Sequence, residues 1–372
     1  MKSIGLLLAI LVAGCSSSSS SSSSPGTDTP DAAPAPHVAT GELASWTTLS
    51  PMPVARANHC SVAANGFLVV IGGNYKPAGK TDFVNLADVH VARISGDGAV
   101  GEWKLAGKTP SPVNSCTAAS DGKNVYLVDG IFESDTAGGV VRRAALSDDG
   151  TLGEWQSLGA LPKDVRILYS NASVNGGVLN AFYAKLPDAG DGIALASVSV
   201  TGSELGAWQQ KTWSKGFRGH PQYALATVGS SSFVYALGGY SGGSTGNAVL
   251  TDGAGSALDA QGVPGDSFSA RALPKPTSNG QAVAVDDWVF LIGGKADVLA
   301  GAGRPDVFAS KIGAGGSLDT WKTVAPLPAG RTSLAAVLEG DFVYVTGGGF
   351  DAGGLDTVYS ARVRFPSAPV TR

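Results

Sequence analysis

Short apolar runs that end in a pair of glycines recur along the chain, and each predicts a β-strand. Four of them are clear, at residues 67–73, 233–239, 288–294 and 342–348. A weaker run spans residues 125–130, and a degenerate one lies near residues 178–184. The runs are rich in Val, Phe and Tyr, which favour strands. They recur roughly every 54 residues, and a period of this size predicts a closed array of sheets.

A second motif keeps the same period: a glycine-rich turn, then Leu or Val, then Trp. The first four of these tryptophans, beginning with Trp46, are 57, 52 and 53 residues apart. Trp321 follows Trp208 by 113 residues, which is two periods. The missing tryptophan slot is predicted at Gln261, in the sequence Leu258-Asp259-Ala260-Gln261. We expect each tryptophan to pack between neighbouring sheets, because a buried indole contributes a large apolar area.

Each period has room for four short strands, separated by Gly, Asp, Asn and Pro, which are typical of antiparallel hairpins. No stretch keeps apolar residues at helical spacing for long. The chain is therefore predicted to be all-β, as a six-bladed β-propeller with four antiparallel strands per blade. It begins at a tryptophan strand and ends after a third strand. The N-terminal strand around Trp46 is thus predicted to complete and close the last blade.

The repeat resembles the Kelch-type β-propeller, the fold of the galactose oxidase central domain. The family pattern includes an arginine that opens the inner strand, a strand ending in two glycines, a tryptophan in the fourth strand and a Met-Pro or Leu-Pro turn. Here the opening arginines are Arg56, Arg166 and Arg331, and the turns lie at residues 52–53, 161–162, 273–274 and 327–328. The resemblance covers residues 40–366. It weakens in the third repeat, which lacks the glycine pair, and in the fifth repeat, which lacks the tryptophan, so less regular blades are expected there.

The N-terminus carries targeting signals rather than a fold. Residues 1–15 are predicted to be a lipoprotein signal peptide, because an apolar segment ends in Leu11-Val12-Ala13-Gly14-Cys15, which resembles a bacterial lipobox. Cys15 would then carry the lipid that anchors the protein to a membrane; the alternative is an ordinary signal peptide with an incidental cysteine. Residues 16–39 are predicted to be a disordered Ser/Pro-rich tether, and residues 40–372 the propeller. Ser16 after the cysteine predicts a cell-envelope lipoprotein of the outer membrane.

Composition and charge limit the classes of partner and cofactor that the chain is predicted to bind. The charged fraction is 15%, the net charge is −4, and no basic run is present, so nucleic acid is not a predicted partner. The four histidines show no metal-ligand spacing, and no glycine-rich phosphate loop joins a strand to a helix. We therefore predict a monomer with no cofactor, no metal and no catalytic residue.

Cys60 and Cys116 occupy equivalent positions in adjacent repeats. A disulfide is permitted outside the cytoplasm, but it requires Cα atoms within about 7 Å. Two buried free thiols are the alternative, and the sequence leaves both open.

In the fold that the resemblance implies, residues opening the repeats gather at one mouth of a central channel. The candidate ligand-binding residues are Arg56, His59, Arg166, Tyr169, Trp213, Arg218, His220, Tyr223 and Arg331. Their arginines could clamp a carboxylate bidentately, and their aromatic rings could stack on a sugar or peptide. The alternative is that the arginines hydrogen-bond backbone carbonyls between blades.

The predicted function is a membrane-anchored, extracytoplasmic binding or scaffolding propeller, non-catalytic, that recognises a glycan or protein ligand at this mouth. An alternative follows from the resemblance alone: a periplasmic enzyme similar to the six-bladed Kelch proteins that mutarotate sialic acid. A galactose-oxidase-like copper enzyme is a further alternative. That site needs tyrosines, histidines and a tyrosine-cysteine crosslink, and no Tyr-His neighbour pair occurs here.

Overall fold

The computed structural model describes residues 38–366, except 129–138, 163–164, 167–171, 186–191, 213–217, 242–247, 298–301, 350 and 352. The chain divides into two units, Met1–Pro36 and His37–Arg372, and every described residue belongs to the second. The predicted signal peptide and lipidation site at Cys15 therefore lie outside the described residues, as does almost all of the predicted tether.

The described residues form 31 strands, numbered here in chain order. The first eleven are β1 (Thr47–Leu49), β2 (Cys60–Ala64), β3 (Phe67–Ile71), β4 (Asn74–Tyr75), β5 (Val84–Asn85), β6 (Asp88–Arg93), β7 (Lys104–Lys108), β8 (Thr117–Ser120), β9 (Asn124–Val128), β10 (Val140–Ala145) and β11 (Gln156–Ala160). The next eleven are β12 (Val165–Arg166), β13 (Ala172–Asn175), β14 (Val178–Lys185), β15 (Gly192–Thr201), β16 (Glu204–Leu205), β17 (Gln209–Thr212), β18 (Arg218–Gly219), β19 (Gln222–Val228), β20 (Ser231–Leu237), β21 (Tyr240–Ser241) and β22 (Ala248–Val249). The last nine are β23 (Gly253–Leu258), β24 (Pro264–Ala270), β25 (Gln281–Val285), β26 (Trp288–Ile292), β27 (Val307–Lys311), β28 (Lys322–Thr323), β29 (Ala335–Glu339), β30 (Phe342–Thr346) and β31 (Val358–Arg362).

Consecutive strands pair into antiparallel sheets of four. Sheet 1 is β2-β3-β6-β7, sheet 2 is β8-β9-β10-β11, sheet 4 is β19-β20-β23-β24 and sheet 5 is β25-β26-β27-β28. Sheet 3 is β13-β14-β15-β17, with β12 and β16 added at its margins, and sheet 6 is β29-β30-β31-β1. The described part of the chain contains no α-helix, and a 3-10 turn spans Ala314–Gly316. The predicted all-β fold with four antiparallel strands per sheet is confirmed.

The glycine pairs end the second strand of a sheet where other backbone approaches closely. Gly72 and Gly73 have φ of 56° and 90°, a region that favours glycine. A Cβ on Gly73 would lie 2.7 Å from the carbonyl oxygen of Ala57. In sheet 3 the pair is missing and β14 continues over 8 residues, against 5 in β3. The predicted irregularity of the third repeat thus appears as a longer second strand and two added short strands.

Six hydrophobic clusters fill the spaces between successive sheets. They lie between sheets 1 and 2, 2 and 3, 3 and 4, 4 and 5, 5 and 6, and 6 and 1. The N-terminal strand belongs to this arrangement, since β1 pairs with β31 through Thr47 opposite Ser360. The core is therefore distributed over the intersheet spaces rather than gathered in one centre.

The tryptophans reach between sheets, as the sequence predicts. In the five tryptophans of the repeated motif, the indole Nε1 donates to a carbonyl at the outer strand of the preceding sheet, as Trp155 does to Lys108 at 3.0 Å and Trp208 to Ala160 at 3.0 Å. Trp46, Trp103 and Trp321 make the same bond to Ala325, Ser50 and Arg271.

The prediction that Gln261 fills the missing tryptophan slot is wrong. In sheet 5 the residue opposite Ile312 is Leu318, three positions before Trp321. In sheet 4 the equivalent pair is Leu258 with Pro264, so the slot falls three residues later, at Ser267. The tryptophan is therefore missing from the fourth sheet, and the expectation of an irregular fifth blade is wrong, because sheet 5 has four regular strands. Sequence alignment on Leu258 failed because this leucine lies on β23, one strand before the tryptophan strand.

Candidate functional site

The structure brings together one residue from the opening of each of five repeats. Asn58, Ser115, His220, Asn279 and Ser333 have φ of 55°, 50°, 51°, 55° and 54°. Residues other than glycine rarely adopt this left-handed conformation, although Asn does so more readily than most. Five occurrences at equivalent positions indicate that the fold imposes the conformation. We call these five residues the inner ring.

Backbone hydrogen bonds connect the inner ring from one sheet to the next. The Ser115 N–H donates to the Asn58 carbonyl at 2.7 Å, and the Asn58 N–H donates to the Ser333 carbonyl at 3.1 Å. The Ser333 N–H donates to Asn279 at 2.8 Å, and the Asn279 N–H donates to His220 at 3.2 Å. The matching position of the third repeat, near Tyr169, lies outside the described residues.

A small polar cavity lies at the inner ring. Its volume is about 30 Å³, and its lining includes all five ring residues together with His59, Cys116, Pro221, Gly280, Gln281 and Leu334. Within the described part of the chain, Asn58 Oδ1 and His59 Nδ1 are buried without a hydrogen-bond partner. A polar space of this size holds one or two waters, whereas sites for small organic ligands are roughly tenfold larger. A sugar would therefore lie across the ring, not within this cavity.

The arginines that open the repeats are directed at their own sheets. Arg56 is fully buried, and its guanidinium donates to the carbonyl of Gly72 at 2.7 Å and to Asp88 Oδ2 at 2.7 Å. Partial burial alone would raise the pKa of Asp88, but hydrogen bonds from His90 and Arg56 hold this pKa well below its usual value. The guanidinium is thus paired and desolvated, which suits a structural contact better than ligand binding.

Arg331 and Arg218 repeat this geometry. Arg331 donates to the Gly347 carbonyl at 2.9 Å and to Thr357 Oγ1 at 3.0 Å, and its guanidinium lies 4.2 Å from the centre of the Tyr359 ring. Arg218 donates to the Gly238 carbonyl at 2.6 Å and to a carboxylate oxygen of Asp252 at 2.8 Å. In each case the acceptor carbonyl belongs to the first glycine of the pair. These contacts favour the backbone-bonding alternative over the carboxylate clamp.

The two candidate histidines do lie at the inner ring, and both are neutral. His59 is buried and hydrogen-bonds Thr346 Oγ1 through Nε2 at 2.8 Å. Burial, with the charges of Arg56 and Arg331, lowers the pKa of His59 to about 3. His220 Nδ1 accepts from the Asn279 amide, and burial, with the charge of Lys295, lowers the pKa of His220 to about 3. Neither histidine is poised for proton transfer near neutral pH.

The remaining candidates fall elsewhere. Tyr223 is buried between sheets 3 and 4, where its ring centre lies 4.9 Å from that of Phe182 and where burial raises its pKa. The side chain of Arg166, and the whole of Tyr169 and Trp213, lie outside what the structure describes. In the described ranges no group of three or more His, Cys, Asp or Glu residues is placed to hold a metal.

Cys60 and Cys116 meet beside the inner ring. Their Cα atoms are 5.7 Å apart, within the range that a disulfide requires, and the structure joins the two sulfurs. The bond would link the first strand of sheet 1 to the opening of sheet 2. Cys116 also lines the ring cavity.

Sequence reasoning missed Ser115, Asn279 and Ser333. Three ring residues, Asn58, His220 and Ser333, stand two positions after the opening arginine. That offset, compared across the repeats, is the signal that would have found the ring. Asn279 and Ser115 follow no arginine, so only the three-dimensional register reveals them.

In the part of the chain that the structure describes, no helix has the length and apolar character needed to span a bilayer.

Comparison with known proteins supports the fold and little else. No model of a known protein family matches the chain. Over 203 residues, 53% of this chain, it is 25% identical to alpha-scruin from Limulus polyphemus, and the matched part is 20% of that protein. The chain thus spans about a fifth of the length of this relative.

The solved structure of YjhT superposes with a TM-score of 0.58 at 14% sequence identity, covering 86% of this chain and 99% of that one. This likeness supports a β-propeller fold. At 14% sequence identity, the structural similarity shows the fold alone.

Proposed function

We propose that the protein is an extracytoplasmic binding or scaffolding protein without catalytic activity, which binds a neutral glycan across the inner ring. In this proposal the six sheets are the blades of a closed Kelch-type propeller, completed by the pairing of β1 with β31. Cys15 is lipidated and anchors the propeller, as a monomer, to the outer membrane. A protein ligand at the same ring is the other outcome that the binding test distinguishes.

The uncharged character of the ring carries the proposal. None of the described residues that line its cavity has a formal charge at neutral pH, because His59 and His220 are neutral. Of the nearby cations, Arg56 is paired with Asp88 and Lys295 with Asp351 at 3.8 Å. The Arg331 guanidinium is held by the Gly347 carbonyl and Thr357 Oγ1. Hydroxyl and amide groups remain for recognition, and these suit the hydroxyls of a neutral sugar better than a carboxylate.

The test is a binding screen of neutral and acidic glycans against the purified full-length protein, followed by calorimetry on any hit. Ser333→Gly and Asn58→Gly remove ring side chains at positions where glycine adopts the required φ without strain. Both variants should lose neutral-glycan affinity. Asn65→Gly changes a residue of the same φ class, 49°, at the far end of β2, and should keep wild-type affinity.

Three results would contradict or replace this function. Exclusive binding of acidic sugars would contradict a ring without free charge. Acceleration of sialic acid mutarotation, followed by NMR of the anomers, would establish the enzymatic alternative, and a bound protein with no glycan would establish the protein-ligand alternative.

The anchor is tested separately. Cys15→Ala should move the protein from the membrane fraction to the soluble fraction, because lipid chains contribute about 0.8 kcal/mol per buried methylene. Persistent membrane association of this variant would contradict lipidation at Cys15.

A further inference from the structure

Four sheets place an aromatic ring at an equivalent position near the start of their second strand. Phe67, Trp288 and Phe342 are the first residues of β3, β26 and β30, and Phe233 is the third residue of β20. Each ring packs beneath a turn glycine that leads into the tryptophan strand of the next sheet. A Cβ on Gly150 would lie 2.8 Å from Phe67, and a Cβ on Gly316 would lie 2.5 Å from Phe233. The space under these turns therefore fits a flat ring.

Sheet 3 has Val178 at this position. The turn glycine that faces it is Gly262, where a Cβ would lie 3.0 Å from Val178 Cγ1. Without the ring, a groove of about 260 Å³ opens between sheets 3 and 4. Its apolar walls are Val178, Leu225 and Leu258.

A second substitution makes the groove polar at one point. In sheet 4, Tyr235 donates its hydroxyl to the carbonyl of the turn residue Gly316 at 2.8 Å. The equivalent residue in sheet 3 is Asn180, and the Gly262 carbonyl is bonded instead by Ser197 Oγ at 2.8 Å. The same Ser197 oxygen lies 2.6 Å from Asn180 Oδ1.

Asn180 is thereby left with one unused group. Its side chain lines the groove and is only 2% exposed. Its amide nitrogen donates to no atom of the described residues, and Asn180 borders the groove. An acceptor on a molecule in the groove could therefore pair with Nδ2.

We propose that the groove binds a small aromatic molecule that carries a hydrogen-bonding oxygen, such as a phenol. The ring would occupy the space that Phe67 or Phe233 fills in the other sheets, and the oxygen would pair with Asn180. A cavity of roughly 150 Å³ already holds benzene, so the groove is large enough. It lies at the far end of β19 from His220 and is therefore distinct from the inner ring and its glycan.

The test uses the full-length Cys15→Ala protein, with its Leu and Val methyl groups labelled for NMR. Titration with phenol should produce saturable shifts at the methyls of Val178, Leu225 and Leu258. Toluene, which lacks the oxygen, should bind about tenfold more weakly. Cyclohexanol, which keeps the oxygen but is not flat, should also bind more weakly than phenol.

Two variants test separately what the aromatic ring of the ligand and its oxygen contribute to binding. Val178→Phe introduces the aromatic ring that four of the other sheets carry at this position, so it should abolish phenol binding and raise the melting temperature. Asn180→Leu keeps the volume and removes the amide, so phenol should weaken about tenfold, to the level of toluene. Thr201→Ala, on an exposed part of β15, should leave phenol binding unchanged.

The absence of saturable shifts at the three methyls would overturn the proposal. Unchanged phenol affinity in Val178→Phe would also overturn it. If Val178→Phe does not fold, the phenol affinity of Asn180→Leu decides whether the proposal stands. Equal affinities for phenol and toluene in the protein without these substitutions would reject the role of Asn180.

Discussion

The space between sheets 1 and 2 and the space between sheets 3 and 4 are built from the same repeat, yet the described contacts that join the sheets differ. Between sheets 1 and 2, seventeen buried residues form one cluster, Cys60 and Cys116 are joined, and Trp155 bonds the carbonyl of Lys108. Between sheets 3 and 4, the described buried cluster has five residues. The groove beneath Gly262 lies there too.

The outer edges differ in the same direction. Sheet 4 carries Ser267 in its tryptophan slot, and its outer strand meets sheet 3 through an ion pair of Lys211 with Asp266 at 2.8 Å. The Asp266 side chain is fully exposed, and exposed ion pairs stabilise little. Buried area is the main source of intersheet stability, so the repeat can open a binding groove only where it gives up packing. We therefore expect the space between sheets 1 and 2 to resist unfolding more than the space between sheets 3 and 4. We call the first the rigid side of the domain and the second the soft side.

Removal of the Cys60–Cys116 link should have the largest effect. The double variant Cys60→Ser, Cys116→Ser should lose about 4 kcal/mol of unfolding free energy, the chain-entropy value for a loop of this length, since the cysteines are 56 residues apart. Urea unfolding measures it, and wild-type protein under reducing agent is the matched control. An unfolding free energy that is insensitive to reduction would mean that the thiols are not bridged.

Matched truncations compare the two spaces directly. Leu127→Ala, in the cluster between sheets 1 and 2, should lose about 3 kcal/mol, because it leaves a cavity in a packed core. Leu225→Ala, on the groove wall, should lose about 1 kcal/mol, because its side chain already borders open space. Equal losses in urea unfolding would contradict a soft side.

Much of this fold follows from the sequence. The glycine-pair strands and the tryptophans recur in phase, and both motifs are local, so the all-β class and the sets of four strands could be predicted. The slot at Ser267 could not be predicted, because Leu258 imitates the leucine that precedes a tryptophan, and only the pairing of Leu258 with Pro264 reveals the shift.

The candidate site was less predictable. Arg56 and Arg331 open their repeats, as predicted, but the sequence could not show whether a guanidinium points to solvent or to the carbonyl of a glycine in its own sheet. The inner ring depends on left-handed φ at Asn58 and Ser333, a backbone property that the sequence does not display. The groove at Val178 and Asn180 could not be predicted either, because it is recognised only when these residues are superposed on the aromatic positions of other sheets.

We expect acid to lower the unfolding free energy through the two buried histidines and to affect the rigid side and the soft side equally. The difference in stability between the two sides would then come from packing alone. His59 and His220 have a pKa of about 3 in the folded protein, against about 6.5 for an unperturbed histidine, so the unfolded chain binds more protons in that interval. Stability is therefore complete above pH 6.5 and falls as the pH drops towards 3.

At pH 5.5 each histidine should remove about 1 kcal/mol of unfolding free energy. His59→Gln and His220→Gln should each flatten the pH profile of urea unfolding by about half in the range from pH 7.5 to 5.5. A profile that is unchanged by either substitution would show that the histidine is already protonated or solvated in the folded state.

The smallest expected effect is a gain. Ser267→Trp restores the tryptophan of the other sheets at the edge between sheets 3 and 4, and should add about 1 kcal/mol of unfolding free energy, as filling a gap commonly does. Gln261→Trp is the matched control, because it introduces the same indole into the turn between β23 and β24, outside the tryptophan slot that the strand pairing defines. It should add nothing. If Gln261→Trp stabilised the protein and Ser267→Trp did not, the sequence alignment would be right and the slot deduced from strand pairing would be wrong.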